Sequence, residues 1–422
     1  MPNIIVVGAG ILGLSSAYHL KERHPEKEIL LVDMGSAAGQ GNTALSAECF
    51  RNVFSSKSNF LLADTSIDFY RHVQNDLGYD LGIEMLGYLW LLSKRQYDSL
   101  EAVFGHMKKK GIELKTYETE DLKQMVPTLV LDPSAHDEEA EILDLAGIDK
   151  GVLGTKCGSL KVDRLVKFYE ENYKRMGGKA LYNTRVRELI VEPTRKLGIP
   201  GEPFLWQDKR ITGIRTDKGE FYGDTIVLVP GVWACKLLDP IGIDSLIKPR
   251  KTQIFVVKHP SLDPLLNMRC SFLLLPKPGM YLRPLRREKT FWCGYGETFG
   301  TSLKFEEEPK VEERHYYDNS YPILKKYLPP FENIRPTNMW AGSIALNTID
   351  GNPYIFERGG AIVAVGTSGS GIMKGDAVGR IVAALYDGEE YAELYDNISF
   401  KVSDLGLESR VIEREEFVIG RM

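Results

Sequence analysis

The sequence has few cysteines and few histidines for its length. Its 422 residues include five cysteines and seven histidines, and no two cysteines form a CxxC pair. A structural zinc site is therefore not expected, since such sites are built from closely spaced cysteine and histidine ligands. An odd, sparse set of cysteines also argues against a disulfide framework. The sequence predicts reduced thiols and no bound metal.

A long apolar run is also missing. The most apolar stretch, residues 4–20, is interrupted by three glycines, two serines and a histidine. A membrane-spanning helix needs ~20 nearly continuous apolar residues. The stretch also has no basic segment before it and no small-residue cleavage site, so no secretory signal is expected. These absences predict a cytoplasmic location and leave peripheral contact with the inner face of the membrane open.

Positive charge is not in excess. Lys and Arg number 53 and Asp and Glu number 58, which gives a formal net charge of −5. Nucleic-acid binding needs a basic face for phosphate contacts, so no nucleic-acid partner is expected. With 43% hydrophobic and 26% charged residues, the composition is that of a folded globular protein. The length predicts two or three domains of ~150 residues each.

The N-terminal segment has the pattern of a dinucleotide-binding unit. A short β-branched run precedes GAGILG, and a helical pattern, a second β run and Asp33 follow it. Gly8 would permit the tight turn, Gly10 the approach of a pyrophosphate, and Gly13 close packing of helix on strand. The free N–H groups of the helix N-terminus would bind the phosphates, and Asp33 would bind the ribose. The motif does not distinguish FAD from NAD, although its place near the N-terminus favours FAD.

Helical and extended patterns alternate along the rest of the chain. Helices are predicted at residues 60–77, 94–110, 162–176, 312–327 and 372–386. Strands are predicted at residues 87–92, 179–190, 211–215, 220–222, 225–229 and 361–365, with a loop at 193–210. Between residues 250 and 300, apolar and polar residues alternate in segments rich in β-formers. This alternation predicts a half-buried antiparallel sheet, separate from the parallel nucleotide sheet.

A second glycine-rich turn, GTSGSG at residues 366–371, also lies between a buried strand and a helix. A helix N-terminus here would stabilise negative charge on a reduced flavin ring. The alternative is a structural strand-to-helix turn, and the residues alone leave both interpretations open.

Together these segments resemble the D-amino-acid-oxidase-like superfamily of FAD enzymes, which includes sarcosine oxidase, dimethylglycine dehydrogenase, glycine oxidase and dye-linked L-proline dehydrogenase. The resemblance extends from residue 3 to about residue 390. It rests on the order and spacing of the N-terminal motif and of GNTALSAECFRNVF (41–54), KVDRL (161–165), NTRV (183–186), VLVPGVWA (227–234), MYLRP (280–284), TIDGNPYI (348–355) and VGTSGSGIMKGDAVGRIVAALYDG (365–388).

The resemblance implies an α/β fold, in which a Rossmann-like FAD-binding domain is interleaved with an α+β substrate domain containing an antiparallel sheet. The FAD-binding domain is expected to comprise residues 1–85, 150–235 and 336–395. The substrate domain is expected to comprise residues 86–149 and 236–335. Residues 396–422 lie outside the resemblance and are expected to form a C-terminal arm or a contact in a homo-oligomer.

The resemblance also implies which residues bind FAD. They are Gly8, Gly10, Ile11, Leu12, Gly13, Asp33, Thr43, Ser46, Val186, Gly231, Trp233, Gly342, Gly369, Ser370, Gly371, Ile372 and Met373. Several members of the superfamily attach FAD covalently through a cysteine or a histidine. The matching positions, near Ser343 and at residues 43–47, hold neither. FAD is therefore expected to bind without a covalent link.

Two arginines are candidates for binding substrate. Substrates of the superfamily are usually small carboxylates or other small anions, and a guanidinium holds a carboxylate through two parallel hydrogen bonds. Arg51 and Arg283 are the residues that the resemblance suggests for this role. The alternatives are a flavin phosphate or structural contact for Arg51 and a surface ion pair for Arg283.

Four further residues are candidates for catalysis or for the pocket wall. Ser370 stands where some relatives have histidine, and Lys374 lies one position beyond Met373, where sarcosine oxidase has lysine. Tyr281 would line the pocket, or be a core aromatic residue. Glu48 stands, with the cysteine that follows it, where relatives have two glycines near the flavin. An acid there would repel a carboxylate substrate, or hold an amine or hydroxyl.

The reaction that the resemblance implies is oxidation of a C–H bond next to nitrogen or oxygen, with hydride transfer to flavin N5. The leading prediction is an FAD-dependent dehydrogenase or oxidase of a small amine or amino acid. One alternative is an FAD-dependent dehydrogenase of a hydroxy compound, such as glycerol 3-phosphate or a 2-hydroxy acid. Another is a non-catalytic FAD-binding assembly factor, which one branch of the superfamily suggests. The electron acceptor stays open among oxygen, a quinone, an electron-transfer flavoprotein and a partner subunit.

Overall fold

The computed structural model describes residues 2–135, 137–204, 206–296 and 303–417. The strands in these ranges are β1 (Ile4–Val7), β2 (Ile29–Val32), β3 (Cys49–Arg51), β4 (Tyr88–Leu92), β5 (Leu114–Tyr117), β6 (Lys150–Gly154), β7 (Cys157–Ser159), β8 (Lys179–Leu181), β9 (Val186–Pro193), β10 (Lys209–Thr216), β11 (Gly219–Tyr222), β12 (Thr225–Leu228), β13 (Lys248–Val257), β14 (Phe272–Leu274), β15 (Met280–Leu285), β16 (Thr290–Tyr295), β17 (Pro336–Leu346), β18 (Tyr354–Arg358), β19 (Ala361–Val365), β20 (Tyr391–Leu394) and β21 (Ile398–Lys401).

Helices connect and cover these strands. The α-helices are α1 (Ile11–Arg23), α2 (Lys57–Asn75), α3 (Lys94–Lys109), α4 (Thr119–Met125), α5 (Glu138–Ile142), α6 (Val162–Arg175), α7 (Ala234–Leu237), α8 (Glu313–His315), α9 (Tyr321–Tyr327) and α10 (Gly375–Tyr386). Tyr316–Ser320 is a π-helical turn, and 3₁₀ turns lie at Gly231–Trp233, Asp239–Ile241, Pro260–Asn267, Pro329–Phe331, Ile372–Lys374, Tyr395–Asn397 and Val402–Leu405.

A six-stranded sheet carries the N-terminal glycine motif. Its order is β18-β19-β12-β1-β2-β8, and all neighbours are parallel except the edge pair β18–β19. Alternate residues of β1 face opposite sides: Ile4 and Val6 pack beneath α1, α2, α6 and α10, and Ile5 and Val7 pack against β9, β10 and α7. Burial on both faces explains why β1 is an unbroken apolar run.

A second, eight-stranded sheet has the order β17-β13-β16-β15-β14-β4-β6-β5. Its pairs are antiparallel except for β14 with β4. The antiparallel sheet predicted between residues 250 and 300 is thus confirmed, as is the α/β fold class. Helices α4 and α9 cover one face of this sheet, and α3 covers the other.

Two of the differences between the structure and the sequence prediction have a local reason. Residues 179–190 form two strands, since Asn183 has a positive φ of 50° and asparagine tolerates this left-handed conformation better than most residues. The helix predicted at 312–327 is broken into α8, a π turn and α9. Pro322 lies in the first turn of α9, and its lack of an N–H interrupts regular helical hydrogen bonding.

The predicted domain division assigns two strands differently from their sheets. β6 begins at residue 150 and β17 at residue 336, which are the first residues of predicted FAD-binding segments. Both strands pair in the eight-stranded sheet, however. The division into domains stays a prediction. Among the described residues, no helix is long and apolar enough to cross a bilayer.

Candidate active site

A cavity of about 1890 Å³ lies between the two large sheets and is lined by residues of both. Ligand pockets usually measure ~300–1,000 Å³, so this cavity has room for a large cofactor and a small substrate together. It is lined by every residue that the sequence predicts to bind FAD, namely Gly8, Gly10, Ile11, Leu12, Gly13, Asp33, Thr43, Ser46, Val186, Gly231, Trp233, Gly342, Gly369, Ser370, Gly371, Ile372 and Met373. The structure therefore brings the whole predicted set together, although their contacts with FAD stay a prediction.

The N-terminus of α1 opens onto this cavity. Gly10, its N-cap, provides no side-chain cap, and the first turn contains no acidic residue. The turn is very tight, because a Cβ on Gly13 would lie 1.8 Å from the carbonyl oxygen of Gly8. A helix N-terminus whose N-cap residue has no side chain, in a turn this tight, is an arrangement that suits a diphosphate.

Neighbouring side chains hold this turn in place. Thr43 Oγ1 accepts a 3.1 Å hydrogen bond from the Ile11 N–H. Asp33 accepts one hydrogen bond of 2.6 Å from the Ala9 N–H and another of 2.6 Å from the Gly35 N–H. Asp33 thus orders the turn on which the cofactor is expected to rest, and its predicted bond to a ribose stays a prediction.

Trp233 supplies a buried donor on the cavity wall. Its indole Nε1 is buried and has no hydrogen-bond partner among the described residues. A buried N–H without an acceptor is costly. Trp233 lines the same cavity as the N-terminus of α1, and an unpaired donor on that wall fits a ligand rich in acceptor atoms, as the predicted dinucleotide is.

The second glycine-rich turn also faces the cavity. Its backbone has a positive φ at Ser368 (52°) and at Gly369 (87°), and the Ser370 hydroxyl donates a 2.6 Å hydrogen bond to the Thr367 carbonyl. Tyr70 of α2 donates a 2.7 Å hydrogen bond to the Ile372 carbonyl and so fixes the start of the following helical segment. The Ser370 side chain therefore orders the loop.

Arg51 and Lys374 bring two buried cations to one compartment of the cavity. Both side chains line it, and they are 6% and 1% exposed. They contact the same ring, since the Arg51 guanidinium lies 3.9 Å and Lys374 Nζ 5.0 Å from the centroid of Phe54. Arg51 also donates to the Val53 carbonyl, and Lys374 donates to Asn59 Oδ1. We call the space lined by Arg51, Phe54, Asn59 and Lys374 the cation compartment.

The pKa of Lys374 is lowered to about 7, because burial disfavours the ammonium form and the Arg51 charge adds to this effect. A lysine with a pKa near neutrality carries an unprotonated amine in a large fraction of molecules, which is the form that accepts a proton. Perturbed groups of this kind concentrate at functional sites.

Arg283 lies outside the cavity lining. Its guanidinium is buried, donates to the Ala47 carbonyl (2.7 Å) and to Glu48 Oε2 (3.0 Å), and lies 4.7 Å from the Trp292 ring centroid. These contacts hold one nitrogen of the guanidinium that the sequence offered as a carboxylate ligand, and Arg283 Nε is buried without a partner among the described residues. They place Arg51 better than Arg283 for that role.

Glu48 lines the cavity but its charge is compensated. Besides the bond from Arg283, its carboxylate accepts a 3.4 Å hydrogen bond from the Val162 N–H at the start of α6. Its φ of 53° is in the left-handed region, which glycine adopts without strain. The glycine that the resemblance implies at this position would therefore suit the backbone conformation.

Two other cavity residues have groups that stay protonated at neutral pH. Burial raises the pKa of the Tyr281 phenol, whose ring stacks on Phe272 at 4.8 Å. Burial also raises the pKa of the Cys49 thiol. Neither group is therefore suited to act as a base or nucleophile.

Phe54 and Asn59 of the cation compartment were not predicted from the sequence. Neither were the cavity residues of the C-terminal segment, which are Ile412, Arg414 and Glu415. Asn59 lies on the helix predicted to begin one residue later, and no motif marks it. Its role depends on contact with Lys374, which is 315 residues away in the sequence.

Comparisons with known proteins agree with this geometry. Residues 3–385 match the family model DAO, described as "FAD dependent oxidoreductase". FAD-dependent oxidoreductase domain-containing protein 1 of Xenopus laevis is 25% identical over 419 residues, covering 91% of this chain and 78% of the relative. Glycine oxidase of Pseudomonas aeruginosa is 23% identical over 403 residues, which cover 92% of this chain and 95% of the relative. L-proline dehydrogenase from P. horikoshii has a similar structure, with a TM-score of 0.73 and 22% identity. The match covers 92% of this chain and 94% of the dehydrogenase chain.

Proposed function

Because the chain belongs to the DAO family of FAD-dependent oxidoreductases, we propose that it oxidises a small amine or amino acid at the C–H bond next to nitrogen. The observation that carries this proposal is the cation compartment, which combines a guanidinium suited to a carboxylate with an amine suited to accept a proton. Similarity to a glycine oxidase over 92% of the chain supports this substrate class.

FAD would be held at the N-terminus of α1, beside Trp233 and along the second glycine-rich turn. When bound, it supplies the hydride acceptor for the oxidation. The protein supplies position and charge: the amides of Leu12 and Gly13 for the diphosphate, beside the Ile11 N–H that Thr43 already binds, and the start of the helical segment at Ile372 for the flavin ring. The redox chemistry thus belongs to the cofactor and the choice of substrate to the residues around it.

FAD is expected to be released intact when the protein is precipitated with acid. Ser343 and residues 43–47 contain no cysteine or histidine, and the Cys49 thiol is held protonated by its raised pKa, which makes it a poor nucleophile. The measurement is the absorbance of supernatant and pellet after precipitation with trichloroacetic acid. Yellow colour that stays in the washed pellet would overturn the expectation of a non-covalent cofactor.

In the proposed reaction, Arg51 binds the carboxylate of the substrate and Lys374 Nζ accepts the proton of its ammonium group. Only a free amine has the lone pair that assists loss of a hydride from the neighbouring carbon. Glu48 and Arg283 do not contact substrate in this scheme; as a buried pair they order β3 beside the compartment. Exclusion of water by Phe54 strengthens the interaction of both cations with an anion.

Arg51→Met is expected to weaken the binding of carboxylate substrates by about 10- to 100-fold, because a hydrogen bond to a charged group contributes ~1.5–3 kcal/mol. The KM should rise for an amino acid and stay nearly unchanged for the amine that lacks its carboxylate. Arg71→Met is a matched control, since Arg71 forms an exposed ion pair with Asp68 on α2 and lies outside the cavity lining. An equal loss for both substrates would contradict the assignment of Arg51.

The substrate class is tested by anaerobic reduction of the flavin. The panel consists of glycine, sarcosine, proline, the matching decarboxylated amines, glycolate, lactate and glycerol 3-phosphate, each followed by the loss of flavin absorbance. Reduction by an amino acid or amine supports the proposal. Reduction by the hydroxy compounds alone would replace it by the alternative dehydrogenase, and reduction by no member of the panel would favour a non-catalytic role. Repeating the productive reaction with oxygen and with an artificial dye distinguishes an oxidase from a dehydrogenase.

A further inference from the structure

The C-terminal segment beyond the family match contributes to the cavity. The family model ends at residue 385, yet Ile412, Arg414 and Glu415 line the cavity with Arg51 and Lys374. Within the predicted C-terminal arm (residues 396–422), residues 406–417 are the part that reaches the cavity, and from here on "the arm" means these residues only. The arm is therefore a part of this compartment that lies beyond the residues matched by the family model.

The near end of the arm is fixed by a buried ion pair. Arg410 donates to both carboxylate oxygens of Asp350, at 2.8 and 2.7 Å, and lies 4.4 Å from the ring centroid of Tyr354. It also donates to the Pro353 carbonyl at 3.1 Å. Bidentate pairs of this kind fix geometry as well as add energy.

The far end of the arm is fixed at the start of α2. Helix α2 has no acidic residue in its first turn and no side-chain bond from its N-cap, Ser56. Two carboxylates of the arm supply these functions. Glu413 Oε2 accepts from the Ser58 N–H in the first turn, at 2.9 Å. The Glu415 carboxylate accepts from the backbone N–H and hydroxyl of Ser55, at 2.7 and 2.6 Å, and from those of Ser56, at 3.2 and 3.0 Å. A carboxylate is stabilised at a helix N-terminus by its partial positive charge.

A buried aromatic ring secures the same end. Phe417 is 0% exposed. Its ring centroid lies 5.0 Å from Trp90 and 5.3 Å from Phe104. The arm thus crosses from the loop at Asp350 to α2 and α3, with its middle on the cavity.

Glu415 is also linked to the cation compartment. Its carboxylate accepts a 3.4 Å hydrogen bond from Asn59 Nδ2, and Asn59 Oδ1 accepts from Lys374 Nζ. We propose that the C-terminal arm is a specificity-determining wall of the substrate compartment, in which Glu415 is a positioning residue that acts on Lys374 through Asn59. The proposal rests on the proposed function in so far as it names the compartment as the substrate site.

Closure by the arm can be measured without any substrate. Cys49 lines the cavity, whereas Cys235 lies outside the lining and is partly exposed. In the holoenzyme, Phe417→Ala is expected to increase the alkylation of Cys49 by a maleimide by at least about 100-fold, since loss of a buried phenyl ring weakens docking by ~3–5 kcal/mol. Exposure to water also relieves the burial that raises the pKa of the Cys49 thiol, so the reactive thiolate forms more readily. Peptide mapping should show Cys235 reacting at its original rate. A chain that ends at Glu408 should behave like Phe417→Ala, and unchanged alkylation of Cys49 in both proteins would overturn the proposal.

Substrate choice is measured with the same variants and the productive substrate class from the panel. Loss of docking should raise kcat/KM for bulky amines relative to small ones, because the wall is removed. Equal ratios in wild type and variants would overturn the specificity role even if Cys49 became accessible. If no panel member reduces the flavin, the proposed function fails, while the alkylation result still decides whether the arm closes the compartment.

The positioning role of Glu415 has its own readout. The groups that face Lys374 are Arg51, Asn59, Glu415 and Asp350, and both carboxylates favour its protonated form. Glu415→Gln should therefore shift the acidic limb of kcat/KM to lower pH. Glu416→Gln is the matched control, because the Glu416 side chain is exposed. An unshifted limb in Glu415→Gln would show that Glu415 serves only to anchor the arm.

Discussion

Gly13→Ala is expected to yield a protein that does not retain FAD. The new Cβ would lie 1.8 Å from the Gly8 carbonyl oxygen and 2.9 Å from its carbonyl carbon, distances that no real structure tolerates. Both atoms belong to the backbone, so no side chain can move aside. Helix α1 must shift away from β1, and its N-terminal amides then leave the position in which they would bind the diphosphate. Purified variant should lack the visible flavin spectrum.

The Gly13→Ala protein is expected to lose stability for two reasons that can be measured separately. Overpacking costs ~1–3 kcal/mol in the apoprotein, and the loss of bound FAD removes the stabilisation that a ligand gives to the folded state. The melting temperature of the variant should therefore stay constant when FAD is added, whereas that of the wild type should rise. Gly105→Ala is the matched control. Gly105 lies within α3, and a Cβ there meets nothing within 4 Å; alanine is also the better helix former. A Gly13→Ala variant with normal flavin content would contradict the assigned role of this turn.

The features that the sequence predicted best depend on short stretches of chain. The unit from β1 to β2 could be predicted because its turn needs glycines at fixed positions and its strands are buried on both faces. The antiparallel sheet could be predicted because alternation of apolar and polar residues is visible within each strand. The strand order could not be predicted, and the parallel pairing of β14 with β4 joins residues about 180 positions apart.

The candidate site also contains some features that could be predicted from short motifs and others that could not. The residues expected to bind FAD lie in motifs and all line one cavity. The pKa of Lys374, by contrast, is lowered by burial and by the Arg51 charge, and its ammonium group donates a hydrogen bond to Asn59 on α2. Arg283 was predicted to bind a carboxylate substrate from its residue type and its strand, but its guanidinium donates a hydrogen bond to the Glu48 carboxylate instead. Such pairings depend on how elements pack, which residue type and spacing do not reveal.

The rate of oxidation is expected to rise with pH through about 7 as Lys374 loses its proton. Burial and the Arg51 charge hold the pKa of Lys374 near this value. In the proposed reaction only the neutral amine of Lys374 accepts a proton from the substrate. The logarithm of kcat/KM should therefore rise with a slope of about one per pH unit below pH 7. The pH profile of kcat/KM reports ionisations of the free enzyme and free substrate. A profile that falls through pH 7 would instead mean that the ammonium form of Lys374 holds the substrate.

Lys374→Met is expected to lower kcat/KM by about 10²- to 10⁴-fold, the usual contribution of a general base, and to abolish the limb near pH 7. Lys374→Arg distinguishes a base from a positive charge that holds the substrate, since arginine keeps the charge but cannot act as a base. This variant should be as inactive as Lys374→Met, and restored activity would contradict the assignment of Lys374 as the base.

The stability of the variants shows whether a loss of activity is due to misfolding. The pKa of Lys374 is depressed from 10.5 to about 7 in the folded protein, so the unfolded chain binds more protons between these values and wild-type stability rises with pH across that window. Lys374→Met should lack this rise and should be more stable than the wild type below pH 7, where the wild type carries a buried ammonium group.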